Sequence, residues 1–301
     1  IEPGTNELDV SLNKCSMFSD LASFPENVTT LWVTSSDALT GIAGVAPGIK
    51  NLNISECKNL SSATLPGGLQ IARFDSCSNL AEIKLSNGLK SLQLNECSML
   101  TSLALPESLT GLGMNGCGSL RSLSFYDMPI DSISGEINGC TNLEIIVQLQ
   151  GTRFPKLVDL KRLKSVKIAD GVRELGDWAI THCSAEEIIV PNSVTNIGVY
   201  CFQGCRSLKD VNISGLTCEC LPEGAFESSG VEHVTLPCGL KTIGWNAFLS
   251  CSKLKSIEIP DSVEIIRQEA FAGCTALKEI ILKNVKHIGV DAFYRCGQFL
   301  Q

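Results

Sequence analysis

The sequence predicts a repeat solenoid of parallel stacked short strands, with about 14 turns of 20–24 residues. Three observations support this prediction. Cysteine returns at a regular interval, the apolar pattern between cysteines repeats, and proline recurs at one place in the repeat. A fixed period of this length is typical of stacked units that bury their apolar sides only against their neighbours. We therefore expect function to lie on a long repeated surface.

The cysteine interval is the clearest of these signals. Cys57, Cys77, Cys97 and Cys117 are 20 residues apart, and the same position recurs as far as Cys296. Alignment of the pattern gives fourteen such positions, here called ladder slots, of which eleven hold cysteine. The slots are Cys15, Ser36, Cys57, Cys77, Cys97, Cys117, Cys140, Leu160, Cys183, Cys205, Ser229, Cys251, Cys274 and Cys296.

Each repeat contains two short apolar segments. The first reads Cys97-x-x-Leu100-x-x-Leu103-x-Leu105-Pro106, and its end alternates at the period of a strand. Proline closes this segment because it cannot donate a ladder hydrogen bond. Pairs such as Gly67-Gly68 then supply turn residues at the same place in the repeat.

The later repeats are two or three residues longer, and the extra residues fall in the second segment. There the pattern becomes Ala270-Phe271-x-x-Cys274. We expect a short helical turn whose aromatic ring fills the core. The equivalent residues are Trp178, Phe202, Phe226, Phe248 and Phe293, with Trp178 one or two residues out of register.

This combination of motifs resembles a known family. Ile257-Glu258-Ile259-Pro260-Asp261-Ser262-Val263, followed by Ala270-Phe271-Ala272-Gly273-Cys274, is similar to the leucine-rich repeat of the BspA-like bacterial surface antigens. The resemblance is specific over about 163–296 and looser over 7–140. It implies a leucine-rich repeat right-handed β/α superhelix in a non-enzymatic, exported or surface-anchored bacterial protein that binds protein or glycan in adhesion or host interaction.

The predicted domain organisation is a single solenoid over 1–301. Short repeats of 20–21 residues occupy 7–140, an irregular transition lies within 118–162, and BspA-like repeats of 22–24 residues occupy 163–296. Phe125-Tyr126-Asp127-Met128-Pro129 replaces the usual turn in the transition, and 149–155 breaks the pattern again.

Charge and hydropathy exclude some partners. The net charge of −8 argues against nucleic acid, because phosphate binding requires a clustered basic face. No apolar stretch reaches the roughly 18–20 residues needed to cross a bilayer. The chain begins at Ile1-Glu2-Pro3-Gly4 without a signal segment, which we interpret as the removal of a targeting segment from an extracellular or cell-surface protein.

The cysteines are interpreted as structural. Parallel side chains in stacked slots do not favour the near-90° torsion of a disulfide, and Ser36, Leu160 and Ser229 replace cysteine freely. We therefore expect reduced, buried thiols in the slots. Four further cysteines lie outside them. Cys201 and Cys218 are expected in the core, whereas Cys220 and Cys238 are expected near the surface, with a disulfide between them left open.

No catalytic, cofactor or metal site is predicted. His182, His233 and His287 fall at different positions of different repeats, and Cys218-x-Cys220 would direct its sulfurs to opposite faces of a strand. No nucleophile elbow and no phosphate-binding glycine loop is present in the sequence. An enzyme is therefore the least favoured class.

The exposed side of the stacked strands is the predicted binding site. Its outward residues follow from the alternating pattern: Lys209, Asp210, Asn212, Glu232, His233, Thr235, Lys255, Ser256, Glu258, Lys278 and Glu279. The expected partner is a protein or glycan from a host or a neighbouring cell. The same face equally suits a plain solvated surface, and a rigid spacer that presents another domain is the alternative function. Weak self-association at an open end of the solenoid is also expected.

Overall fold

The computed structural model describes residues 8–17, 19–125, 136–148 and 154–297. In these ranges every regular element is a β-strand, and no helix has the length and apolar character needed to cross a membrane. The chain divides into two compact units, Ile1–Leu143 and Glu144–Gln301. Parts of the predicted transition (126–135 and 149–153) and both chain ends lie outside the described residues. One continuous solenoid across the two units stays a prediction.

The first unit contains two parallel sheets. One has the strand order β1-β2-β4-β6-β8-β9-β11 and the other β3-β5-β7, so each strand pairs with its equivalent in the next repeat. The strands are β1 Leu8–Asn13, β2 Val28–Thr34, β3 Gly41–Ile42, β4 Asn51–Ser55, β5 Ser62–Thr64, β6 Ile71–Asp75, β7 Glu82–Lys84, β8 Ser91–Asn95, β9 Gly111–Asn115, β10 Ser122–Phe125 and β11 Glu136–Asn138.

The second unit repeats this arrangement with shorter strands. Its sheets have the orders β13-β16, β12-β14-β17-β19-β21, β15-β18 and β20-β22-β23-β24. The strands are β12 Ile145–Gln148, β13 Lys156–Val158, β14 Ser165–Lys167, β15 Glu174–Leu175, β16 Ile180–Thr181, β17 Glu187–Ile189, β18 Asn196–Ile197, β19 Asp210–Asn212, β20 Cys220–Leu221, β21 His233–Thr235, β22 Thr242–Ile243, β23 Ile265–Ile266 and β24 His287–Ile288. The predicted solenoid fold is confirmed, and fourteen slots enclose about 13 turns.

A left-handed backbone residue directly precedes every ladder slot. The φ angles of these residues lie between 51° and 76°, although only four of the fourteen are glycine. In β4, for example, the strand ends at Ser55, Glu56 takes φ 53°, and Cys57 is buried. A single left-handed residue thus turns the chain out of the strand at the same place in each repeat.

The slot thiols connect successive turns. Nine of them donate to a backbone carbonyl three residues before the previous slot, with Sγ···O distances from 2.9 Å for Cys251 and Phe226 to 3.9 Å for Cys57 and Val33. All fifteen cysteines are free thiols. The slot cysteines are buried apart from Cys15 and Cys296, which are partly exposed. A neutral thiol is a weak donor, and here it satisfies an interior carbonyl without introducing a charge.

Aromatic rings form a second interior column in the longer repeats. Phe202, Phe226, Phe248 and Phe271 are completely buried, and their rings stack on one another. Centroid separations lie between 5.1 and 5.4 Å along the column, which continues to Phe293. The prediction that these rings fill the core is therefore confirmed.

Two details of that prediction were wrong. The Ala-Phe segment forms hydrogen-bonded turns and no helix, because a second left-handed residue interrupts it five positions before each slot. These residues are Trp178, Tyr200, Gly224, Asn246, Glu269 and Asp291, with φ between 53° and 58°. Trp178 therefore lies on the surface, stacked on Tyr200 at 5.8 Å, and Ile180 occupies the core position instead.

Replacing Phe248 with alanine should destabilise the second unit strongly. Phe248 stacks on a ring on each side, so truncation leaves a cavity that rigid neighbouring turns cannot fill. The expected loss in the free energy of unfolding is about 3–5 kcal/mol, measured by urea denaturation. Trp245→Ala is the matched control: Trp245 is exposed and its ring lies under the Arg267 guanidinium, so its loss should cost about 1 kcal/mol or less. Equal effects would contradict the interior role of the ring column.

Stability should fall steeply above about pH 8.5. Loss of hydration raises the pKa of Cys77, Cys97, Cys205 and Cys251 to about 12. Below the ordinary thiol pKa of about 8.5, these four thiols are protonated in both the folded and the unfolded chain. Between about pH 8.5 and 12 only the unfolded chain loses these protons. The free energy of unfolding should then fall by about 1.4 kcal/mol per pH unit for each thiol.

Urea titrations between pH 8 and pH 10.5 measure this slope. The control is Cys205→Ser with Cys251→Ser, because serine occupies the same slot at Ser36 and Ser229 and does not titrate in this range. In the double variant, the slope of the free energy of unfolding against pH should be shallower by about 2.7 kcal/mol per pH unit. An unchanged slope would show that these thiols are not buried in the folded chain.

Candidate functional site: the exposed strand face

The predicted binding residues lie on one exposed face of the second unit. Strand β19 exposes Asp210 and Asn212 and buries the residue between them, and β21 does the same with His233 and Thr235. The register places Asp210 beside His233 and Asn212 beside Thr235. Of the other predicted residues, Lys209, Lys255, Ser256, Glu258, Lys278 and Glu279 are exposed and Glu232 is partly buried.

Charges of opposite sign alternate along one column of this face. Backbone hydrogen bonds join its members in successive turns, and we call them the charge column: Glu144, Lys164, Glu186, Lys209, Glu232 and Lys255. The ion pairs are Lys164–Glu144 at 2.6 Å, Lys209–Glu186 at 2.7 Å and Lys255–Glu232. Each lysine is therefore neutralised by the carboxylate of the preceding turn.

These pairs also shift the acid–base equilibria of their members. The hydrogen bond from Lys209 lowers the pKa of Glu186, and the pKa of Lys209 rises for the same reason. Lys255 likewise lowers the pKa of Glu232. Because these groups are hydrated, each pair contributes little to stability. Their main effect is to leave the charge column with no net charge.

The adjacent column carries an excess of negative charge. It comprises Glu187, Asp210, His233, Ser256 and Glu279 and is called the acidic column. Glu187 and Asp210 lie directly opposite each other in paired strands, and Ser256 Oγ lies 3.3 Å from His233 Nδ1. Within the described ranges, the salt bridges of this face do not include Glu187, Asp210 or Glu279. A ligand with positive charge is therefore favoured here.

A groove of about 860 Å³ opens beside the last strand of this sheet. Its walls come from three successive turns, at 234–238, 256–262 and 279–283. Four of the predicted residues line it, namely Thr235, Ser256, Glu258 and Glu279. The structure thus brings part of the predicted site together around one concavity, while Lys209, Asp210 and Asn212 lie on the flat strands outside it.

A polar column in the first unit was not predicted. Seven side chains align in register along its main sheet: Asn13, Thr34, Ser55, Asp75, Asn95, Asn115 and Asn138. Ser55 Oγ donates to Thr34 Oγ1 at 3.0 Å, and Asn95 donates to Asp75. A cavity of about 280 Å³ lies over Gly113, which has no side chain to fill it. The sequence contains a signal for this column, because a polar residue lies two positions before each slot of the first unit.

A second alternating column was also missed. Glu219, Lys241, Glu264 and Lys286 are joined by backbone hydrogen bonds from turn to turn. Lys241 pairs with Glu219 at 2.5 Å and Lys286 with Glu264 at 2.8 Å. Charge pairing between turns is therefore general to the surface and does not by itself identify a binding site.

The cysteines outside the slots differ in part from expectation. Cys201 is buried as predicted, but Cys218 is only partly buried. Cys220 and Cys238 are both exposed and free. Cys220 is in register with Thr242, four residues beyond Cys238, so the two thiols do not face each other. The disulfide that the sequence left open is not formed.

The titratable side chains of the described ranges do not form a metal-binding group of three or more His, Cys, Asp or Glu residues. His182 precedes a slot, His233 lies on β21 and His287 on β24. They are therefore dispersed over the second unit, at different places in the repeat.

Comparison with known families identifies these repeats. A profile of the BspA type leucine rich repeat region matches residues 48–144, 158–254 and 217–301, in six copies. The chain belongs to the BspA type leucine-rich repeat family. The match includes most of the short repeats, where the sequence motif alone gave a looser resemblance. No curated protein matches the chain.

Solved leucine-rich repeat proteins are similar to this BspA type chain. A protein from Eubacterium ventriosum is 19% identical, with a TM-score of 0.50 over 96% of this chain and 90% of its own. One from Bacteroides ovatus is 22% identical, with a TM-score of 0.48 over 95% and 85%. A leucine rich cell surface protein from Faecalibacterium prausnitzii is 17% identical, with a TM-score of 0.35 over 90% and 86%. The first of these supports the leucine-rich repeat fold.

Proposed function

We propose that this BspA type protein is a non-enzymatic binding protein, exported or held on the surface of a bacterium. It binds a protein or glycan of a host or neighbouring cell through the exposed strand face of the second unit. The observation that carries the proposal is the meeting of predicted binding residues from three turns around one groove. The resemblance to bacterial surface antigens supports the location.

Binding on such a face is distributed over many residues. Each turn contributes one or two polar side chains at strand spacing, so a ligand that follows the strands gains several weak contacts. The acidic column supplies the electrostatic component, because its carboxylates are not neutralised as those of the charge column are. Binding should therefore weaken as salt is raised.

A rigid scaffold is the second candidate function. It is favoured by the internal neutralisation of the charge column, since a face whose charges pair with one another needs no external partner. A scaffold would tolerate changes to the exposed residues without loss of function.

A binding experiment separates the two functions. The purified chain is tested against immobilised extracellular-matrix glycoproteins and a glycan array. The face variant combines Asp210→Ala, Asn212→Ala, His233→Ala and Thr235→Ala, all on exposed positions. We expect it to bind the captured ligand at least about tenfold more weakly, because two adjacent strands lose their polar contacts.

The matched control places four alanines on the second alternating column, at Glu219, Lys241, Glu264 and Lys286. It should fold equally well by circular dichroism and bind like the unmodified chain. Absence of binding to every matrix protein and glycan, or equal binding by the two variants, would overturn the binding proposal and favour the scaffold.

A further inference from the structure

A second row of outward residues lies beside the polar column of the first unit. Its members occupy the middle of successive strands of the main sheet, and each is in register with the next: Trp32, Asn53, Arg73, Gln93 and Gly113. We call them the open row. Neighbouring strands are about 4.8 Å apart, so the four steps from Trp32 to Gly113 span roughly 19 Å.

The side chains of the open row keep their hydrogen-bonding groups free. In the polar column, by contrast, neighbours bond to one another, as Ser55 does to Thr34 at 3.0 Å. Among the described residues, no partner donates to or accepts from the side chains of Asn53, Arg73 and Gln93. Arg73 is exposed and the two amides are half-buried. Two amides and one guanidinium are therefore available to a ligand.

The two ends of the open row offer different contacts. Trp32 is 38% exposed, although tryptophan side chains are highly buried on average. A large apolar ring therefore lies at the surface at this end. At the other end, the cavity of about 280 Å³ lies over Gly113. Amides and one carboxylate surround it, from Gln93, Asn95, Asn115, Asn138 and Glu136.

The composition of this surface favours a neutral ligand rich in hydroxyl groups. Apart from Trp32 and Gly113, the open row and the polar column consist of polar side chains, whereas a protein interface has an apolar core. Their charged members are Arg73 and Asp75, of opposite sign, so the surface lacks the basic cluster that a polyanion requires. Strands β2, β4, β6, β8 and β9 each pair on both sides, and their backbone is not open to a peptide strand.

We propose that the open row binds an extended, neutral, β-linked glycan that runs across the strands from Trp32 to Gly113. The rise of one sugar in such a chain is close to the spacing of the strands, so successive sugars meet successive turns. One sugar places its C–H face on the Trp32 ring, and another enters the cavity over Gly113.

The polar side chains between the two ends supply the hydrogen bonds. The Asn53 and Gln93 amides both donate and accept, which suits the paired hydroxyls of a sugar, and the Arg73 guanidinium donates. Affinity is the sum of several weak contacts, one from each turn. This glycan site lies on the first unit and is separate from the binding face proposed on the second.

The probes are four neutral β-linked chains, measured by isothermal titration calorimetry with the full chain: cellohexaose, xylohexaose, mannohexaose and chitohexaose. We expect at least one to bind saturably, and its disaccharide to bind at least about tenfold more weakly, because a disaccharide meets only two turns. Added salt should leave the affinity unchanged, because the ligand carries no charge. Binding of none of the four, or equal binding of the disaccharide, would overturn the inference.

Two variants test the residues of the open row. Trp32→Ala should weaken binding of the hexasaccharide at least about tenfold, because it removes the stacking ring. Asn53→Ala with Gln93→Ala should have a similar effect, because two successive contacts are lost. Circular dichroism verifies that both variants fold, as expected for changes at solvent-facing positions of a sheet.

The controls remove the same residue types from exposed positions outside the open row, as Trp245→Ala and as Asn79→Ala with Gln268→Ala. These variants, and the four-alanine face variant of the second unit, should bind the hexasaccharide like the unmodified chain. Equal affinity of the row variants and their controls would overturn the inference. If matrix proteins bind while these glycans do not, only the glycan inference fails and the proposed function stands.

Discussion

The structure depends on one backbone constraint, the left-handed residue before each ladder slot. All fourteen of these residues have φ between 51° and 76°, and ten of them carry side chains that disfavour this conformation. The cost is of order 1 kcal/mol for each, so a compensating contact must follow immediately. The slot supplies it: the next side chain enters the core, where most of the slot thiols donate to a carbonyl of the previous turn. The left-handed residue, the buried slot side chain and the hydrogen bond to the previous turn therefore depend on one another.

The surface follows from the same constraint. Because each repeat leaves its strand at the same position, equivalent side chains align in straight columns, and long side chains pair between neighbours one turn apart. The charge column and the polar column of the first unit are two outcomes of this alignment. Where a strand ladder stops, after β7 and after β21, the next turn keeps the sequence pattern but forms no strand. Loss of strand pairing therefore occurs in both units and is not confined to the groove.

Much of this fold could be predicted from the sequence because the period fixes which residues are equivalent. The slots, the parallel pairing and the exposed residues of β19 and β21 all follow from alignment alone. The second left-handed series could not be found in this way, since Trp178, Tyr200 and Asn246 share no side-chain property that marks their φ. The groove was equally hidden, because Ile257-x-Ile259-Pro260 has the same pattern as segments that do form strands. Hydrogen-bond register is set by how turns stack, and a local motif does not contain it.

The most direct test of the backbone constraint is the free energy of unfolding of two variants at Ser250, an exposed residue with φ 60°. Ser250→Gly should leave stability unchanged or raise it by up to about 1 kcal/mol, because glycine adopts this conformation freely. Ser250→Val should lower it by about 1–3 kcal/mol, because a β-branched side chain is strained there. The same serine-to-valine change at Ser62, an exposed strand position, should be tolerated. A Ser250→Val protein as stable as the unmodified chain would contradict the account.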